Sequence, residues 1–319
     1  MLQLTADWIV YSLFKFPAES RFAETLDFFI YDSLKILILL FGMIAAIGFL
    51  RTFLPHEKVR GWLGKKKGWG NFLASLFGAM TPFCSCSSIP IFFSLIKAGI
   101  PLGITFSFLI TSPLINEYLV VLMLGFFGWK ITAVYILSGM MLGIVCGVIL
   151  GKMKLEMHLV EDMLPTAEPE LKKKHYDGIL SRVGFGLKEA TAIIKKLWLW
   201  ILVGVGIGAF IHNYVPEEAI QSVINKAGVF SVPAAALLGV PLYGSCAAII
   251  PIAVALFQKG VPLGTALAFM MAISALSLPE AVMLRRAMKL PLIAIFFGVI
   301  TLGIIFTGYL INALQFALV

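Results

Sequence analysis

Apolar runs long enough to cross a bilayer recur along the chain, separated by short polar punctuation. A helical crossing needs about 20 such residues. The runs fall at about 28–52, 70–98, 102–125 and 129–151, then at 192–213, 228–258, 262–284 and 290–316. Between the two sets lies a charged stretch, 152–190. It contains Lys172-Lys173-Lys174 and several acids, and its apolar periodicity is too weak for another crossing. Near the start, Trp8 to Phe16 reads either as an interfacial helix or as part of an extra span. The pattern predicts an all-α polytopic membrane protein: an N-terminal interfacial segment 1–27, a first membrane unit 28–151, a charged cytoplasmic linker 152–190 and a second membrane unit 191–319.

The two units are copies. Pro90-Ile91 matches Pro251-Ile252, and Gly99-Ile100-Pro101-Leu102-Gly103 matches Gly260-Val261-Pro262-Leu263-Gly264, at a spacing of 161 residues. From Pro90 to Phe108, eight of nineteen positions are identical at this spacing, including the register of Gly and Pro that apolar composition alone does not supply. Phe83-Cys84-Ser85-Cys86 likewise matches Tyr243-Gly244-Ser245-Cys246 at a spacing of 160.

Composition agrees with the membrane reading. Hydrophobic residues make up 60% of the 319 positions and charged ones 13%, where a soluble domain carries roughly 25% charge. Residues 1–21 include Asp7, Lys15 and Glu19 and do not read as a cleavable signal. The net charge of +8 sits largely in short loops, where Lys and Arg fix topology, so nucleic acid is not an expected partner.

Charge also shapes the expected topology. The loop 51–69 holds Arg51, Lys58, Arg60, Lys65, Lys66 and Lys67 against Glu57 alone. It falls on the cytoplasmic side, with the linker, only if 70–98 enters the membrane and returns on the same side. Three crossings plus one such hairpin is an odd number, which predicts two inverted repeats, each with about three transmembrane helices plus a broken re-entrant hairpin.

Each hairpin arm has about 10–12 residues and reaches roughly half the hydrocarbon thickness. The tips then meet near the midplane, where irregular backbone must be buried or line a cavity. They carry Cys84, Cys86 and Cys246 with the hydroxyls of Ser85, Ser87, Ser88 and Ser245. Thiols and thiolates suit monovalent copper, zinc and trivalent arsenic, so these three cysteines are candidate metal or metalloid ligands. A helix N-terminus beside Cys86 or Cys246 favours the thiolate. Cys146, between Val145 and Gly147, reads as helix packing. Glu117, after Asn116 and inside the run 102–125, and Glu280, after Pro279, are intramembrane carboxylates and hence proton-coupling candidates. Asn116 is a candidate polar substrate contact. The histidines sit in loops or at span ends, and no phosphate-binding loop is present. The pattern therefore predicts no enzyme and no cofactor.

Thr81-Pro82-Phe83-Cys84-Ser85-Cys86-Ser87-Ser88-Ile89-Pro90, followed by Ala98-Gly99-Ile100-Pro101-Leu102-Gly103 and Ser112-Pro113-Leu114-Ile115-Asn116, resembles the predicted permease family of unknown-function type 318. That group includes the ArsP organoarsenical efflux permeases. The resemblance covers nearly the whole chain. It implies a secondary transporter in a prokaryotic inner membrane that exports a soft, thiol-seeking solute, with trivalent organoarsenicals foremost. A copper, zinc or sulfur-compound permease and a membrane thiol oxidoreductase remain as alternatives, and a homo-oligomer stays open. Gly244 replaces the first cysteine of the motif in the second unit, so a symmetric four-thiol site is not available.

Overall fold

The computed structural model describes residues 2–13, 17, 20–51, 69–80, 85–160, 178–214, 224, 227–242 and 246–318. Among these residues there is no strand, and one isolated antiparallel bridge joins Leu159 to Met288. The helices are α1 (Leu2–Asp7), continued by a π-helical stretch Trp8–Leu13; α2 (Arg21–Arg51); α3 (Trp69–Met80); α4 (Ser85–Lys97); α5 (Leu102–Leu114); and α6 (Glu117–Lys152), whose two segments meet in a kink at Gly128, where φ is 76°. After the linker come α7 (Ile179–Tyr214), α8 (Ser231–Gly239), α9 (Cys246–Gln258), α10 (Leu263–Ala275), α11 (Leu278–Leu284) and α12 (Leu290–Leu318). Among the described residues three stretches are long and apolar enough to cross a membrane: Leu119–Lys152, Leu263–Leu284 and Leu290–Gln315.

The repeated Gly-Ile/Val-Pro-Leu-Gly motif stops one helix and starts the next. Gly99 and Gly260 adopt φ of 75° and 87°, a left-handed turn that glycine enters without a Cβ clash. The following amides close the helix ends, Ile100 N donating to Leu95 O at 3.2 Å and Val261 N to Leu256 O at 3.1 Å. Pro101 and Pro262 then open α5 and α10, since proline lacks the N–H that a continuing helix would need.

Helices α5 and α10 are the axes of their units, with nearly every residue buried. A methyl placed on Gly78 of α3 would meet Phe108 O at 3.0 Å and Ser112 N at 3.2 Å. Placed on Gly239 of α8, it would meet Phe269 O at 3.1 Å and Ile273 N at 3.3 Å. All three residues of one set are 161 positions from those of the other. Gly103 abuts Gly147 and Gly151 of α6, while Gly264 abuts Gly308 and Asn312 of α12, again at that spacing. Small residues here let helix backbones approach closely, the usual basis of helix association in lipid. The units meet where Leu142 lies on Gly303, two positions also related by the repeat spacing. Cys146 is buried beside them, its Sγ 3.9 Å from Val299 O.

Contacts fix which helix ends lie together. Asn71 Nδ2, at the start of α3, donates to Gly103 O at the start of α5 at 3.0 Å, and Gly103 abuts Gly151 at the end of α6. The stretch after α6 runs along the α11–α12 turn, with Val160 N donating to Ala287 O and Lys289 N to His158 O, both at 2.9 Å. Helix α12 leaves that turn and spans 29 residues, about 44 Å at 1.5 Å per residue. At its far end Asn312 Oδ1 and Gln315 Oε1 accept from Gly264 N and Leu263 N at 2.7 and 3.0 Å.

Three boundaries differ from the pattern. Helix α7 begins at Ile179, inside the expected linker, because Ile179, Val183 and Leu187 give that stretch a helical apolar spacing. The run 102–125 is not one continuous span: it breaks at Ile115 and Asn116, just after Pro113 in the last turn of α5. The run 262–284 breaks likewise at Leu276 and Ser277. Pro279 would there clash with the carbonyl of Ala275 in a continuous helix. Glu117 opens α6 beside the first of these breaks and is exposed.

Candidate functional site

The two breaks interrupt the most buried helices of the molecule, and every polar group freed there needs a partner. At the first, Ile115 is 3% exposed and Asn116 8%. Asn116 takes an extended conformation and caps α6, its Oδ1 accepting from Leu119 N at 2.7 Å. Leu114 O accepts from the Tyr135 hydroxyl at 3.0 Å, across from α6. The break is thus held open by side chains that satisfy its backbone.

Helix α4 brings its first turn to this place. Ser88 Oγ and Ser112 Oγ are 2.7 Å apart, and both residues are fully buried. The turn that carries Ser85 and Cys86 therefore starts beside the last turn of α5. Below it, Ser75 Oγ lies 2.6 Å from Thr111 Oγ1, and Asn71 Nδ2 donates to Ser107 Oγ at 2.9 Å. One unit later these positions read Ile249 and Ile273, Ala236 and Ala272, Val232 and Ala268, and Tyr135 becomes Phe296. The first unit is polar where the second is apolar.

The second break carries its own polar set. Ser277, at the position of Asn116, is 3% exposed, and its side chain does not cap α11. Glu280 is fully buried on α11, which packs against α4 of the first unit and against α7. In the converse contact α6 packs against α9, with Phe127 and Phe257 rings 6.1 Å apart. Each broken span therefore touches the opposite unit's shorter helix. Phe106 and Phe296, 5.1 Å apart, close the apolar seam between units.

Of the residues singled out in the sequence, Asn116 lies at the first break and Glu280 on the helix that follows the second, whereas Glu117, next to the first break, is exposed. Cys84 and Ser245 lie outside the described residues, as do the side chains of Ser85, Cys86 and Cys246, although Ser85 opens α4 and Cys246 opens α9. Among the described residues no three His, Cys, Asp or Glu side chains converge as metal ligands; the three candidate thiols are not among those side chains. Tyr135 and Ser277 were missed. Their signals were a hydroxyl in an apolar run and a polar residue 161 positions after Asn116.

A family model described as a predicted permease matches residues 21–313. The UPF0718 protein YcgR of Bacillus subtilis is 25% identical over 65% of this chain and 69% of its own length. For the UPF0718 protein YraQ of Escherichia coli the identity is 25%, over 75% of this chain and 66% of the relative. A Streptococcus mutans protein named as a putative two-component membrane permease complex subunit is 25% identical over 61% of this chain and 65% of that protein. No solved structure matches the chain. With a match that spans nearly the whole polypeptide, the buried breaks and long apolar helices are those of a multi-pass membrane transporter, not an enzyme, and the chain belongs to the predicted permease family of the ArsP and UPF0718 type.

Proposed function

We propose that this permease exports a soft, thiol-seeking solute, foremost a trivalent organoarsenical, across a prokaryotic inner membrane through a midplane site formed by Cys84, Cys86 and Cys246. The observation that carries the reading is the 2.7 Å contact of Ser88 with Ser112. It supports a position for the Cys86-bearing turn beside the break at Asn116. Ser85, Ser245 and Asn116 add polar contacts, and Glu280 and Glu117 are the candidate proton carriers.

In this reading the two units are inverted, each with a re-entrant hairpin. Three contacts support the opposed arrangement. Asn71 lies with Gly103 and Gly151 at one end of the bundle. Val160 ties the linker to the α11–α12 turn. Asn312 lies with Gly264 at the other end of α12. Broken helices that meet at a repeat interface are the usual place for substrate in secondary transporters.

The test is uptake of methylarsenite, copper and zinc by everted vesicles, comparing wild type with Cys84→Ser, Cys86→Ser and Cys246→Ser. Loss of methylarsenite uptake in the variants is expected. Normal uptake of every substrate by all three would remove the thiol site, and uptake of copper or zinc alone would favour the metal-permease alternative.

A further inference from the structure

The register of the duplication continues past the breaks. At the spacing of 161 residues, α11 and the turn after it, 278–289, match the start of α6, 117–128, and Lys289 falls on Gly128. Each copy therefore runs break, short helical segment, bend and long helix. The bend is the Gly128 kink in one copy and the α11–α12 turn in the other.

The surroundings of the two segments differ. On α6, Val121 and Phe126 are 66% and 55% exposed, and a methyl on Gly128 would meet nothing within 4 Å. On α11, Met283 and Leu284 are buried, and so is Ala287, at the position of Phe126. Helix α7 packs along α11, whereas its counterpart α2 makes no comparable contact with α6 among the described residues.

The chain after α6 supplies the rest of the cover. It turns at Lys154, whose φ is 49°, makes one 3-10 turn at Leu155–His158, and then lies antiparallel to the α11–α12 turn. Val160 N donates to Ala287 O and Lys289 N to His158 O, both at 2.9 Å, so Leu159 and Met288 face each other between the two bonds. Leu155, Leu159 and Met288 are all buried. Lys289 Nζ also donates to Met157 O at 3.5 Å. The end of the first unit thus grips the bend of the second.

Two equivalent segments, one covered and one bare, occupy the two positions open to a packed, bistable element. We infer that residues 155–160 form a strap that locks α11 over the second break. Release of the strap frees α11 to swing about the turn 285–289 toward the bare position of its counterpart. The link to substrate passage rests on the transporter reading with opposed units. The strap and its release do not, and the two are tested apart.

Maleimide labelling of the purified full chain in nanodiscs reads the strap without substrate, and both faces are open to the reagent, so orientation does not enter. The native cysteines are replaced by serine. Met288→Cys is buried while the strap is closed and labels only on release. Val160→Pro deletes the donor to Ala287 O, and Leu159 already has the extended φ of −74° and ψ of 153° that suit a following proline. It should speed labelling of Met288→Cys about threefold to tenfold, the range for one net hydrogen bond. Ala268→Cys, buried on α10, should label at an unchanged rate. In a second arm, Leu159→Cys and Met288→Cys are oxidised to a disulfide, which an antiparallel pair with Cα atoms about 4.5 Å apart allows. The disulfide should slow labelling of Met283→Cys on α11 at least tenfold, and reduction should restore it. That arm reads the strap even where Val160→Pro does not fold. No change at Met288→Cys, an equal rise at Ala268→Cys, or a disulfide without effect on Met283→Cys overturns the inference.

Discussion

Ser88 Oγ lies 2.7 Å from Ser112 Oγ in a fully buried contact, and the corresponding positions of the second unit are Ile249 and Ile273. At these positions the two copies keep the same helix geometry, and only the first holds a polar pair. A hydrogen bond between membrane helices is worth about 0.6 kcal/mol on average, with a ceiling near 1.7. A double-mutant cycle on Ser88→Ala and Ser112→Ala should give a coupling energy in that range by unfolding in detergent. Transport should fall more than stability, since the pair positions the Cys86-bearing turn. Equal loss in both would reduce the contact to helix glue.

Close glycine packing sets a second expectation. A methyl at Gly78 or Gly239 lands within 3.3 Å of main-chain atoms on the neighbouring axis helix, while one at Gly42 of α2 meets nothing within 4 Å. Overpacking of this kind costs about 1–3 kcal/mol. Exposed helical Gly→Ala changes gain about 0.5–1 kcal/mol instead. Gly78→Ala and Gly239→Ala should therefore lower the unfolding midpoint, and Gly42→Ala should raise it. The same sign at all three positions would contradict the register.

Helix type, the duplication and the paired connectors were legible because Gly99, Pro101 and Gly103 recur at one spacing and each has a backbone reason to be there. The breaks were not. Periodicity treats 102–125 as uniform, and Pro113 sits comfortably in a last helical turn, so the interruption falls two residues later where Asn116 can cap. Glu117 accordingly opens α6 next to that break and is exposed. Glu280, read in the sequence as an intramembrane carboxylate, is fully buried. Tyr135 stayed hidden because its partner is a main-chain carbonyl, which no side-chain pattern reveals.

Tyr135 gives a third prediction. Its hydroxyl satisfies Leu114 O at the first break, and removing one partner of a buried hydrogen bond costs about 1–3 kcal/mol. Tyr135→Phe should lower stability by that amount. The reverse change, Phe296→Tyr, adds a buried hydroxyl against the Phe106 ring and should also destabilise. Chemical unfolding of both variants checks the pair. A neutral Tyr135→Phe would mean that the break holds without the hydroxyl.

The carboxylates separate by position. Glu280 is fully buried on α11, whereas Glu117 is exposed at the start of α6. Glu280→Gln keeps the volume and removes the exchangeable proton, so proton-driven uptake into vesicles should fall at least tenfold, about 1.4 kcal/mol of barrier. Glu117→Gln should change it less than threefold. The opposite ranking would move the coupling role to α6.

The proposed inverted arrangement puts particular lysines on opposite faces of the membrane. Lys152 ends α6 and Lys289 is bonded to the segment that follows it, through His158 O. Lys259 follows α9, next to the start of α10 that Asn312 caps. The 23 residues from Lys289 to Asn312 along α12 separate the two levels by about 35 Å, more than the roughly 30 Å hydrocarbon core. Single cysteines replacing Lys152 or Lys289, in a chain whose native cysteines are serine, should label from the cytoplasmic face. One replacing Lys259 should label from outside. All three positions are exposed, so a membrane-impermeant maleimide on intact cells and everted vesicles reads them directly. Labelling of Lys259→Cys and Lys289→Cys from the same face would exclude the inverted arrangement. The hairpin reading would fall with it, because only a returning segment lets the basic loop after Arg51 share a face with the linker.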